Sequence, residues 1–152
     1  MVIAAVRDTP YNIVLILHLV AVVAAFAPAI AHPVMAAQAK RLDPTARNQV
    51  YGFLAANSMR IYGTALIVVG LLGFALSGMS GGAYPFSQTW VWLAAVLWVL
   101  MIGLLHGLLV PAERALAAGD SGAEQRISIG GAVLTVASLV MLYLMVFKPG
   151  VA

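Results

Sequence analysis

Three stretches of this chain carry no charged side chain: residues 12–31, 61–112 and 127–147. A helix needs about 20 apolar residues to cross a hydrocarbon core ~30 Å thick. The first and last stretches supply one span each. The middle one, at 52 residues, is too long for one span. It breaks at Gly78-Met79-Ser80-Gly81-Gly82-Ala83-Tyr84-Pro85, a run of turn formers, leaving spans near 61–77 and 90–110. In lipid only helices and closed barrels satisfy the backbone, and the alternating pattern of a barrel strand is absent. The sequence therefore predicts an all-α fold. It is a four-helix transmembrane bundle, with residues 1–152 forming a single integral membrane domain.

Composition supports this. The chain is 63% hydrophobic and 9% charged, against about 25% charged in soluble domains. Mean hydropathy is +1.02. Eight basic and five acidic residues are too few to solvate a globule of 152 residues. A cytosolic enzyme, a disordered chain and a nucleic-acid module are excluded. The isoelectric point near 9.6 comes from an excess of three charges and does not imply nucleic acid. With no cysteine there are no disulfides, thiolate metal sites or iron–sulfur ligands. The first apolar run follows Arg7, as a signal peptide would. Its length and its internal His18 favour a retained span instead.

Orientation follows from Lys and Arg. Lys40, Arg41, Arg47 and Arg60 lie between the first and second spans, and Arg114 and Arg126 between the third and fourth. Only Arg7 and Lys148 lie on the other side. The expected topology puts both charged connections in the cytoplasm and both termini outside. Asp43-Pro44 is a helix start, with Asp as cap and Pro in the first turn, so the second helix is predicted to begin in the cytoplasm near residue 44. Residues 112–126 are short, polar and of mixed charge, which predicts a surface hairpin.

Three histidines are the candidate chemical groups at membrane depth. The predicted spans hold no Asp or Glu, which argues against a proton relay of buried carboxylates. His18 sits about 5 Å from the midplane of the first span. There it either bonds a neighbouring helix or ligates haem or a metal. His32 follows fourteen residues later on the same face, with the small Ala21, Ala25 and Ala29 near that face. This pair resembles the paired haem ligands of b-type cytochromes, but the third span offers His106 with Trp92, not His, fourteen residues before it. His32 also precedes Pro33 at the membrane edge, where an exposed loop His is the simpler reading. His106 and His32 fall near one level and could clamp one haem. His18 and His106 lie about 14 Å apart in depth and cannot. Met141 falls near the depth of His18, and a His–Met pair is acceptable to haem iron. No metal other than haem iron is suggested.

Ser58, Thr64, Ser77, Thr135, Ser138, Tyr62 and Tyr143 read as helix–helix hydrogen bonds or interface anchors. Pro28 frees a carbonyl in the first helix. Gly70, Gly73, Gly130 and Gly131 give the second and fourth helices small faces for close approach, within the bundle, in a homo-oligomer or in a larger membrane complex. Tyr84, Trp90 and Trp92 fit an aromatic belt.

The opening Tyr11-Asn12-Ile13-Val14-Leu15, followed by Leu17-His18, resembles a bacterial family of four-helix integral membrane proteins known only as a domain of unknown function. More distantly, the layout is similar to the membrane-embedded protoporphyrinogen oxidase and copper-resistance D families. The residues concerned are His18, Arg60-Ile61-Tyr62 at the entry to the second span, His106 and Phe147-Lys148-Pro149. The resemblance implies a multi-pass protein of the bacterial cytoplasmic membrane. It also implies haem b held through His18. In the oxidase family a Lys on the third helix assists, and residues 90–110 here contain none. The expected class is a small haem-binding or redox-associated membrane protein. The alternative is a non-catalytic accessory subunit or a small transport-related protein.

Overall fold

The computed structural model describes residues 8–150. Four helices account for the span count: α1 (Thr9–Ala39), α2 (Pro44–Met79), α3 (Thr89–Ala117) and α4 (Ala123–Phe147). Each is long and apolar enough to cross a membrane, and no strand occurs among the described residues. Each helix packs on its neighbours in the chain, and α4 closes the ring against α1.

The large apolar side chains point outward. Val23, Ile30, Leu71, Leu100, Leu139 and Val146 are all exposed. Covering them requires lipid. The interior is built from Ala21, Phe26, Leu66, Val69, Trp90, Ala94, Met101, Leu105, Met141 and Leu144. Because lipid is as apolar as Leu, such a bundle is held by close packing and interhelical hydrogen bonds more than by burial.

Helix α2 starts where the sequence predicts. Asp43 Oδ1 accepts hydrogen bonds from the backbone N–H groups of Thr45 at 3.0 Å and Ala46 at 3.1 Å. Its first turns pack against the end of α3 in a second small core of Ala39, Tyr51, Leu54, Ala112, Leu116 and Ala123. The turn between α2 and α3 uses Gly81 and Gly82, both at positive φ. Lys148 ends α4 in the left-handed conformation, and its Nζ donates to the Tyr84 hydroxyl at 3.2 Å, tying α4 to that turn.

The expected surface hairpin over 112–126 is not there. Helix α3 runs on to Ala117, and only residues 118–122 form a loop. Pro111 lacks the N–H that a continuing helix would use there. The structure passes the proline by widening the turn before it. Residues Leu105–Leu109 are π-helical, with the Val110 N–H bonded to the Leu105 carbonyl. A second π segment, Ser58–Gly63, lies in α2 and faces the first. The 40–43 and 118–122 connections share the basic end of the bundle. Lys148 lies at the opposite end, and Arg7 falls outside the described residues.

Candidate binding cavity

Three glycines of α2 each seat a ring from another helix. At Gly70 an added Cβ would run into the Trp98 indole, whose Nε1–H donates to the Leu66 carbonyl at 2.6 Å. At Gly73 it would come within 3.4 Å of His18 Cε1. The His18 Nδ1 lies 3.0 Å from the Val69 carbonyl. A carbonyl only accepts, so Nδ1 carries the proton. In both cases the carbonyl belongs to the residue one turn before the glycine, where the missing side chain exposes it to a second donor. At Gly63 the added Cβ would lie 2.8 Å from His106 Cε1. The small face of α2 therefore serves rings as well as helix backbones.

This arrangement distributes the four candidate ligands. His18 is buried in the α1–α2 contact as an interhelical donor. Met141 is buried in the main core. His106 stands against Gly63 and His32 against the adjacent Tyr62, ring centroids 4.9 Å apart, so the two histidines lie at one level with different partners. Only His32 of the four lines the large cavity of the described structure.

That cavity has a volume of about 710 Å³. It lies between α1 and α4, over a floor from α2 and α3. It exists because the facing residues are small: Ala25, Ala29 and Ala36 on α1, Gly131 and Ala132 on α4. Along α1 it runs from Ala25 to Lys40, about 22 Å at the helical rise. Its wall includes Ile30 and Val136, both exposed on the outer surface, so it opens sideways toward lipid.

One end is apolar, walled by Leu66, Met101 and Leu134, and the other is polar. At the polar end His32 Nδ1 lies 3.1 Å from Glu113 Oε1, with the Glu113 side chain 2% exposed. Lys40 Nζ meets Glu124 Oε1 at 2.8 Å at the rim. The carboxylate, through its hydrogen bond and its charge, raises the Lys40 pKa above the ordinary lysine value. Glu113 escaped the sequence reading because the assumed hairpin put it in water. The signal was its position two helical turns after His106. Extending α3 past Pro111 brings it to the interior.

The polar end is not fully satisfied. His32 Nε2 and Glu113 Oε2 are buried with no hydrogen-bond partner among the described residues. An unpaired buried polar group costs about 1–3 kcal/mol. Comparison with protein-family models, curated proteins and solved structures returned no match, so the chemistry rests on this geometry.

Proposed function

We propose that this multi-pass membrane protein binds a lipid-like amphipathic molecule, admitted from the bilayer between α1 and α4. The tail lies along the apolar part of the cavity and the head meets the His32–Glu113 pair. One observation carries this reading. A cavity of about 710 Å³ is apolar toward the membrane interior, polar at His32 and Glu113, and open to lipid beside Ile30 and Val136. Orientation belongs to the proposal, with the basic end and its polar pair on the cytoplasmic side. Gly131 lines the cavity and has free space where a Cβ would go. Gly131→Phe should fill the cavity without disturbing a helix contact. Lipids retained by wild-type and variant protein after mild detergent purification can be compared by mass spectrometry. Loss of one retained species in the variant is expected. Identical lipid complements would overturn the reading.

A second reading has a specific observation behind it: haem b held by His32. Glu113 engages Nδ1 and leaves Nε2 without a partner. A carboxylate that holds one imidazole nitrogen in this way is a common companion of a histidine that ligates through the other. Bound haem would supply redox chemistry, with His32 as ligand and Glu113 holding the ring. A Soret band in protein expressed with excess haem, lost in His32→Ala and kept in His18→Ala, supports this reading. A colourless protein overturns it.

A further inference from the structure

A second groove lies between α2 and α3 at the basic end and shares no lining residue with the large cavity. Its volume is about 340 Å³. It is lined by small residues where the two helices come close: a Cβ on Gly52 would lie 3.9 Å from that of Ala117. Gly63 meets His106 eleven residues away on each helix, so α2 and α3 run antiparallel in one register. That register sets Arg114 level with Ala55, and Arg60 about 8 Å deeper toward the span. Both arginines line the groove, and both are exposed.

No side chain of the described residues neutralises them. The chain has five acidic residues. Glu113 faces His32, Glu124 holds Lys40, and Asp120 holds Arg126. Asp43 caps α2, and Asp8 precedes α1 at the opposite end. Two like charges on one groove call for a counter-charge from outside the chain. The surroundings identify its source. Arg60 is the last charged residue before the charge-free stretch 61–112. Met59 lines the groove and Ile61 follows it, both exposed. The groove thus straddles the edge of the hydrocarbon, at the depth of lipid head groups. Basic pockets between spans at that depth take anionic heads, and the planar guanidinium fork suits phosphate oxygens. We propose that Arg60 and Arg114 hold the phosphate ester of an anionic phospholipid, one whose head carries no cation of its own. Its acyl chains leave past Met59 and Ile61.

The test offers the protein, in mild detergent, dioleoylphosphatidylglycerol, dioleoylphosphatidylcholine and glycerol 3-phosphate. Retention is read by native mass spectrometry. The glycerol lipid is expected to be retained about twentyfold over the choline lipid, and glycerol 3-phosphate not at all. Arg60→Gln and Arg114→Gln should each lower the lipid preference about fivefold. Arg41→Gln removes an exposed charge outside the groove and should leave the preference unchanged. Gly131→Phe should also leave it unchanged, so this site and the cavity reading fail independently. Equal retention of the two lipids overturns the site. A loss in Arg41→Gln that matches the groove variants also overturns it, because the attraction then belongs to the whole basic end. Retention of glycerol 3-phosphate that is lost in Arg114→Gln overturns the lipid as the source of the phosphate. Should a groove variant not fold, the wild-type lipid ratio and the Arg41→Gln control still decide.

Discussion

The Thr135 hydroxyl donates to the carbonyl of Ala29 at 2.7 Å, across the α1–α4 gap. Ala29 is the residue whose helical partner would be the N–H of residue 33, and residue 33 is proline. The proline leaves a carbonyl unpaired in an apolar setting, and a side chain 106 positions along the chain pairs with it. Because the same gap forms the cavity, this bond also sets how far α1 and α4 stand apart.

The Thr135–Ala29 bond makes a coupled prediction. Thr135→Val should destabilise the bundle by about 0.5–1.5 kcal/mol, the range for interhelical hydrogen bonds in membranes. Pro33→Ala restores a backbone donor for Ala29, so the loss from Thr135→Val should shrink on that background. Unfolding in mixed micelles measures all four proteins. Strict additivity would show that the two residues do not share the carbonyl.

Gly70 and Gly73 should respond differently to a methyl group. Gly70→Ala forces a Cβ into the Trp98 ring, whose Nε1–H is tied to Leu66. An overpacking loss of about 1–3 kcal/mol is expected. At Gly73 the nearest atom, His18 Cε1, is 3.4 Å away. Gly73→Ala should be close to neutral, aided by the better helix propensity of Ala. Thermal melts of the two variants decide, and equal effects would contradict the ring-seat geometry.

Breaking the His32–Glu113 pair from one side should be worse than removing it. Glu113→Leu strands a polar ring next to an apolar side chain and should lose about 3 kcal/mol or more. His32→Leu combined with Glu113→Leu should recover most of that in a stability assay. The double variant should also bind no lipid through its head. A double variant as unstable as the single one would show that the pair is not a closed unit.

Topology is tested by a reporter fused after Ala152. Lys40, Arg41, Arg114 and Arg126 cluster at the basic end, in or next to its two connections, which predicts that the fusion reports the outer side. A cytoplasmic signal would reverse the orientation and move the His32–Glu113 end to the other leaflet.

The sequence by itself determined the class of fold. Charge-free runs of span length leave a chain no other way to satisfy its backbone in lipid. It also set the start of α2, because Asp43-Pro44 is a local signal that acts over three residues. The common level of His32 and His106 follows from helical rise alone. The site was decided by tertiary structure. That Glu113 faces inward depends on a π turn carrying α3 past Pro111, and no short window of sequence encodes that. That His18 is an interhelical donor depends on which carbonyl Gly73 lays bare on a different helix. The cavity depends on small residues of α1 and α4 meeting each other, when either set alone could equally have packed against a bulky neighbour. Local signals specify spans because each span is stabilised within itself, whereas a cavity is a property of the space between helices.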